Sequence, residues 1–444
     1  MNTPICDFVR QYASGSATRL HMPGHKGVSL LGMEELDITE IDGADSLYEA
    51  SGIIAESERN AGELFGCATY YSTEGSSQCI RAMLHLAMLH AGKAGRERLV
   101  FAARNVHKTF LSAAALLDFD VEWLFSSEED SYLSCLITGE ELERRLRETD
   151  RKPAAVYVTS PDYLGNTADI SSLAEVCHRY DVLLLVDNAH GAYLRFLPES
   201  MHPIDLGADI CCDSAHKTLP VLTGGAYLHL SESAAEELGG QVKAALALFG
   251  STSPSYLILQ SLDAANRYLA DGYREKLKSF SERVAGFKRR LKEDGFVLRG
   301  SEPLKITIDA KKYGYTGIML QEMLAERNLV VEFADPDFLV MMVTPETGHE
   351  GLNKLEEALD SVSPRHEIRI LPPMMHVPER VMSIREAALS AGEIVPANRC
   401  EGRILAAATV GCPPAVPIVV CGERIDRHAV ECFAYYGMKT CSVI

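Results

Sequence analysis

Four short stretches hold residues whose types and spacing could do chemistry. They are "STEGSSQ" (72–78), "RNVHKT" (104–109), "LLLVDNAHG" (183–191) and "CCDSAHKTLP" (211–220). In the first, Gly75 allows close backbone approach, and Ser76 and Ser77 open a helix. A helix N-terminus with free N–H groups and small hydroxyls suits a phosphate, although an ordinary serine N-cap would look the same. His107 follows an apolar strand, where an imidazole can stack on a flat ring or serve only as a turn residue. Asp187 ends so apolar a run that its carboxylate, if buried, needs a cationic or hydrogen-bonding partner; it could also cap the next segment. His190 follows three residues later. In the fourth stretch stand Ser214, His216 and Lys217. A lysine shielded from water has a depressed pKa and becomes a usable nucleophile; a solvated surface charge is the alternative.

Together these parts match one cofactor. Pyridoxal phosphate (PLP) needs an amine for its aldehyde, a carboxylate for its ring nitrogen, a cradle for its phosphate and a face to stack on. The competing ligands lack support. No G-x-G-x-x-G opens a helix, and no P-loop or H-E-x-x-H is present. None of the twelve cysteines forms a C-x-x-C, so no metal site is expected, and a reducing, cytoplasmic setting fits best.

The elements that must position these residues are legible between Gly66 and Leu230. "SSQCIRAMLHLAMLHAGK" places Ile80, Met83, Leu84, Ala87, Met88 and Ala91 at helical spacing. "RLVFAAR", "VEWLF", "AAVYVTS", "VLLLVDNAH", "ADICCDS" and "GGAYLHL" read as strands. Helices separate the earlier ones, including "TGEELERRLRE" with Thr138 as N-cap. Near-continuous apolar strands alternating with helices imply a mostly parallel sheet covered on both faces. Ligands then sit beyond the carboxyl ends of the strands. Further on, "FVLRG", "LKITID" and "FLVMMV" suggest a smaller α/β domain, and the prolines of "ILPPMMHVP" open a third unit. The expected division is 1–270, 271–365 and 366–444.

The formal charge of −19 argues against a nucleic-acid partner and would mildly attract a cationic substrate. The N-terminus carries no apolar signal segment, and no run of roughly 18 uncharged apolar residues suggests a membrane span.

The chain resembles the ornithine/lysine/arginine decarboxylases of the aspartate-aminotransferase-like fold (fold type I), in a short bacterial form without the N-terminal wing domain. The resemblance rests on "HMPGHKG", "DITEIDGADSLYEASGII", "TEGSSQ", "RNVHKT", "TSPDYLGNTADI", "VDNAHGAY", "DSAHKTLPVLTGGAYLH", "STSPSY" and "PAVPIVVCGERI", in that order along nearly the whole chain. It implies PLP-dependent decarboxylation of arginine, lysine or ornithine through a Lys217 Schiff base, feeding polyamine synthesis. It further implies that Asp187 pairs with the pyridine nitrogen, that His107 stacks on the ring, and that Gly75, Ser76 and Ser77 hold the phosphate. Ser214 and His216 would flank the same pocket, His216 or Lys217 would return a proton to the substrate carbon, and His190 would lie near the ring. Ser251 and Thr252 would reach a neighbouring subunit's cofactor, making a homodimer or larger homo-oligomer with shared sites. By family position, Glu40, Asp42, Asp45 and Glu332 are candidates for the substrate's distal cation, and Arg403 for its carboxylate. An aminotransferase, an eliminase or an inactive relative would share the cofactor parts. Glu74, Asp162, Leu164, Asn188, Gly224 and Ala415 stand where the family usually has other residues.

Overall fold

The computed structural model describes residues 1–126, 131–374, 377–408 and 414–444. Met375 and His376 of "ILPPMMHVP" lie outside the described residues. The strands in chain order are β1 (Ala68–Ser72), β2 (Leu99–Ala103), β3 (Asp120–Leu124), β4 (Ala155–Thr159), β5 (Leu183–Asp187), β6 (Ile210–Asp213) and β7 (Ala226–Leu230). They continue with β8 (Leu298–Arg299), β9 (Lys305–Asp309), β10 (Phe333–Ala334), β11 (Phe338–Met342), β12 (Glu393–Pro396), β13 (Leu405–Ala407) and β14 (Thr440–Val443). Each strand expected from the apolar runs is present.

Contacts divide the chain into two compact units: Met1–Arg96 with Ile170–Leu277, and Glu97–Asp169 with Lys278–Ile444. This cuts across the expected consecutive stretches. Residues 97–169 cluster with the C-terminal residues because specific bonds tie them. The buried Arg104 guanidinium donates to Glu423 (2.8 Å) and to the Ile418 carbonyl, and the Lys108 N–H donates to the Ala415 carbonyl.

In the first unit, β1, β7, β6 and β5 lie side by side in that order. β5 and β6 are parallel, Asp187 lying opposite Cys212. β7 runs antiparallel to both β6 and β1, so the expected parallel character gives way at this edge. The strands are apolar because both faces are covered: every residue of β6 and β7 is buried. The helix Ser76–Ala94 buries Ile80, Met83, Leu84, Ala87, Met88 and Ala91, the face its spacing predicted.

In the second unit, β4, β2 and β3 are parallel neighbours in that order. The helix Gly139–Glu148 starts with Thr138 and Glu141 in a reciprocal capping box, so the expected N-cap is present. The same unit holds an antiparallel sheet in the order β10, β11, β9, β8 and a smaller one in the order β12, β14, β13. Cys400, Ile425, Phe433 and Cys441 belong to the core beside the smaller sheet. The described cysteines are all free thiols, and all but Cys67 are buried. Among the described residues no helix is long and apolar enough to cross a membrane.

Candidate active site

Three chain ends of the first unit meet around Lys217. The turn after β1 carries the cradle. Gly75 takes φ +72°, and its N–H donates to the Gly224 carbonyl (2.8 Å). Ser76 then begins a helix of 19 residues whose first N–H groups have no partner within the helix itself. The Ser214 hydroxyl donates to Ser76 Oγ at 2.7 Å, which ties the cradle to the segment after β6. Glu74 is exposed, so its carboxylate can stay clear of an anion held by the serines.

Gly224 is needed where it stands. Its φ is +100°, and a Cβ there would meet the Thr73 carbonyl oxygen at 2.9 Å. This departure from the usual residue is therefore a backbone requirement of this chain.

Lys217 is half-buried on the short turn Ala215–Thr218, its Nζ 3.0 Å from Nε2 of the buried His190. His216 Nδ1 donates to the Gly225 carbonyl at 3.1 Å. Burial pushes its imidazole below the usual range, and the Lys217 charge acts the same way against the Gly225 bond. His216 is therefore neutral, with its proton on Nδ1 and a bare Nε2. Asp187 is 3% exposed at the end of β5 and accepts the Ala189 N–H and the Cys212 thiol through Oδ1.

The other expected site residues fall into two groups. His107 belongs to the second unit. It caps the helix Lys108–Leu117, Nδ1 accepting the Thr109 N–H and meeting Thr109 Oγ1 at 2.8 Å, which leaves Nε2 on the outer edge of the ring. Glu332 is in the same unit, exposed, and accepts the Tyr163 hydroxyl at 2.8 Å. Arg403 is engaged elsewhere: it donates to the Ile444 carbonyl and pairs with Glu393 at 2.7 Å. Asp45 is a structural acid. Its buried carboxylate accepts N–H bonds from Ser46, Ser51, Gly52, Ile54 and Ala55, around the start of the helix Ile53–Phe65. Burial raises its carboxyl, but these bonds outweigh burial and hold it below the usual range. With both oxygens engaged, Asp45 is a poor ligand for a substrate cation. Glu40, Asp42, Ser251 and Thr252 are exposed.

The sequence reading missed a buried network behind the site. Asp213 is 0% exposed and ends β6. Its Oδ1 accepts Asn188 Nδ2 at 2.6 Å, and its Oδ2 lies 3.2 Å from Nε2 of both His202 and His229. Burial would push this carboxyl up, yet the two imidazoles hold it well below the usual range. His202, Cys211 and Asp213 bring donor atoms within reach of a common ion. The carboxylate is already met by three N–H donors, so we describe the cluster as a hydrogen-bonded network. A hydrophobic strand with one terminal aspartate was the available signal, but its partners are 11, 16 and 25 residues away.

The donor set fits the cofactor. Serine hydroxyls and a helix N-terminus suit a phosphate, a half-buried amine suits an aldehyde, and a buried carboxylate suits a protonated ring nitrogen. The buried hydroxyls of Thr73 and Thr218, beside the cradle and beside Lys217, have no hydrogen-bond partner within the protein.

Residues 3–308 match the family described as Orn/Lys/Arg decarboxylase, major domain, and residues 370–441 match its C-terminal domain. The chain is 29% identical to an arginine decarboxylase of Bacillus subtilis (strain 168), over 97% of this chain and 92% of that protein. Its fold is similar to a Francisella novicida lysine decarboxylase (TM-score 0.80, 17% identity, covering 100% of this chain and 81% of that one). It is also similar to a Sphingomonas wittichii serine palmitoyltransferase (TM-score 0.56, 15% identity, covering 81% of this chain and 83% of that one). The chain belongs to the Orn/Lys/Arg decarboxylase family, as a PLP-dependent enzyme that removes CO₂ from a basic amino acid.

Proposed function

We propose that the substrate is arginine, on the strength of the arginine decarboxylase relative that spans nearly the whole chain. Lysine and ornithine are the alternatives the same chemistry admits. The observation that carries the assignment of roles is the Lys217–His190 contact on the segment whose Ser214 bonds the Ser76 cradle. Ser76, Ser77 and Ser214 hold the phosphate, with Gly75 giving the backbone room. Asp187 keeps a proton on the ring nitrogen, its burial sharpening that interaction. The family resemblance gives His107 the part of stacking on the ring. When bound, PLP supplies an aldehyde for the substrate amine and an electron sink for the pair left as CO₂ departs.

The protein's own groups handle the protons. Lys217 Nζ and His190 Nε2 stand at hydrogen-bond distance, so a proton passes between them without movement of either side chain. His216 presents a bare Nε2 and therefore accepts rather than donates. This favours Lys217 over His216 for returning a proton to the substrate carbon.

A guanidinium or ammonium at the far end of the substrate needs a carboxylate. Glu40 and Asp42 are exposed on the first unit, and Glu332 is oriented by Tyr163 on the second. We assign this role among these three and not to Asp45, whose oxygens already accept five N–H bonds; nor do we assign Arg403 to the substrate carboxylate, since it pairs with Glu393 and the Ile444 carbonyl. Leu20, Leu30 and Leu31 are each more than four-fifths exposed, in the same unit as the exposed Ser251 and Thr252. Such apolar exposure supports a homodimer in which a second copy covers these leucines. The free thiols support a reducing, cytoplasmic setting, and the amine product supports a place in polyamine synthesis.

The test is a substrate panel. Purified holoenzyme should release CO₂ and form the amine from arginine faster than from lysine or ornithine. Lys217→Ala should lose both the turnover and the visible absorption band of the bound cofactor. Keto-acid formation in place of CO₂ would instead indicate an aminotransferase. No turnover with any of the three amino acids would reject the substrate class.

A further inference from the structure

We infer that Asn188 is a positioning residue: its amide joins the strand end that carries Asp187 to the strand end that carries Ser214 and Lys217, and it must be neutral because Asp213 is the buried anion of the pair. The inference rests on the reading of Lys217 and Asp187 as the cofactor-binding groups.

The geometry is specific. Asn188 extends the β5–β6 ladder, its N–H donating to the Cys212 carbonyl at 3.0 Å. Its Nδ2 then donates to Asp213 Oδ1 at 2.6 Å. One side chain thus fixes the last residue of β6 directly to the residue after Asp187. Both groups are 0% exposed, so water cannot substitute for the bond.

The position of the charge follows from where the donors are. Asp213 receives Asn188 Nδ2 on one oxygen and faces His202 Nε2 and His229 Nε2 on the other. His229 is itself oriented by Thr69, whose Oγ1 lies 2.9 Å from its Nδ1. At residue 188 the outer atom, Oδ1, is buried without a hydrogen-bond partner. It also lies against Gly191, where a Cβ would come within 2.0 Å of it. A carboxylate at 188 would leave that oxygen charged and unmatched, and would set two carboxylates 2.6 Å apart. An amide at 188 and a carboxylate at 213 match every polar side-chain atom of this pair except that one oxygen.

The arrangement makes a charge exchange informative. In the double variant Asn188→Asp/Asp213→Asn, the amide at 213 can donate to the carboxylate at 188 through one terminal atom, its nitrogen, set where Asp213 Oδ1 stands in the parent. It still accepts from both histidines through the other. The bond between 188 and 213 and the two histidine bonds are kept, but the anion moves next to Asp187 and the outer oxygen at 188 stays unmatched. In Asn188→Asp alone, two acids share the contact and one must hold a proton.

Three quantities should be measured on each variant: thermal unfolding of the cofactor-free protein, the cofactor dissociation constant, and the pH midpoint of the bound cofactor's visible band. Asn188→Asp is expected to weaken cofactor binding about tenfold or more, the size of a lost hydrogen bond to a buried charge. Its band midpoint is expected to move by about half a pH unit or more, because an added acid perturbs neighbouring proton affinities. The double variant is expected to recover part of the binding, because it relieves the contact between two acids but keeps the unmatched oxygen at 188. Asn188→Ala, which adds no charge, serves if Asn188→Asp does not fold, and is expected to weaken binding by about tenfold. The inference is overturned if these variants bind cofactor within about twofold of the parent, an insignificant energy at 0.4 kcal/mol or so. It is equally overturned if only the unfolding temperature changes, or if the exchange recovers nothing. Loss of the parent band in Lys217→Ala separates the two readings. If the band persists there, the cofactor assignment fails; if it vanishes while Asn188→Asp stays silent, only the role of Asn188 fails.

Discussion

Gly224→Ala is the substitution whose effect the structure fixes most fully. The backbone there has φ +100°, a region that L residues adopt rarely, and the left-handed side of the map costs an alanine about 1–2 kcal/mol. The new Cβ would also meet the Thr73 carbonyl oxygen at 2.9 Å and Ile258 Cδ1 at 3.0 Å. Overpacking of that kind adds about 1–3 kcal/mol. The total is about 2–5 kcal/mol, at the lower end if Ile258 yields. The strain is not spent at random. Thr73 lies on the turn that leads into the expected cradle of Gly75, Ser76 and Ser77, and the Gly75 N–H is held by the Gly224 carbonyl. If a third to a half of the strain displaces the cradle, cofactor binding weakens about tenfold, since 1.4 kcal/mol is one decade. The assay is a cofactor titration of the apoprotein by visible absorption, beside thermal unfolding. Gly240→Ala is the control. It lies within the helix Glu232–Ala247 with nothing within 4 Å of its added Cβ, so the sign reverses and stability rises by up to about 1 kcal/mol. The reasoning is refuted if Gly224→Ala is as stable as the parent. It is also refuted if stability falls while cofactor affinity holds, because the cradle would then be independent of residue 224.

Other perturbations follow from the same structure. Asp335 is buried, its Oδ2 has no hydrogen-bond partner, and burial pushes its carboxyl up to about 7 against the N–H bonds from Phe338 and Asp337. A carboxyl raised on folding favours the folded state while it is protonated and loses that advantage as pH rises from the unfolded value, near 4, towards 7. Asp335→Asn should therefore raise the unfolding temperature more at pH 8 than at pH 5, as calorimetry at the two pH values would record. Thr138→Ala removes a capping box and should lower stability by about 1 kcal/mol in denaturant titrations, with turnover unchanged. Ala415 holds φ +56° while its carbonyl accepts the Lys108 N–H. Ala415→Gly should be neutral or stabilising by up to about 1 kcal/mol, and Ala415→Val destabilising by at least about 1 kcal/mol, because a β-branched residue there is an outlier.

Much of this protein could be read from its sequence because the physics involved is local. Apolar runs with period-free burial announce covered strands, and the spacing of Ile80, Met83, Leu84, Ala87, Met88 and Ala91 announces a helix face; both are present. Thr138 with Glu141 three residues on is a capping signal within one turn. Ser76, Asp187 and Lys217 could be placed at strand or helix ends because polar residues closing apolar runs have few other places to go.

The rest depended on groups that meet only in the folded chain. Whether an acid is a ligand or a structural cap depends on which N–H groups surround it, and five of them close on Asp45. Arg403 looked available until β12 and the C-terminal residue supplied its partners. The need for glycine at 224 comes from Thr73, and the need for an amide at 188 comes from Asp213 and the two histidines behind it. Sequence marked which residues could carry the chemistry, through apolar pattern and local propensity. Tertiary structure alone decided which charges are already matched, because desolvation and hydrogen bonding act through space and not along the chain.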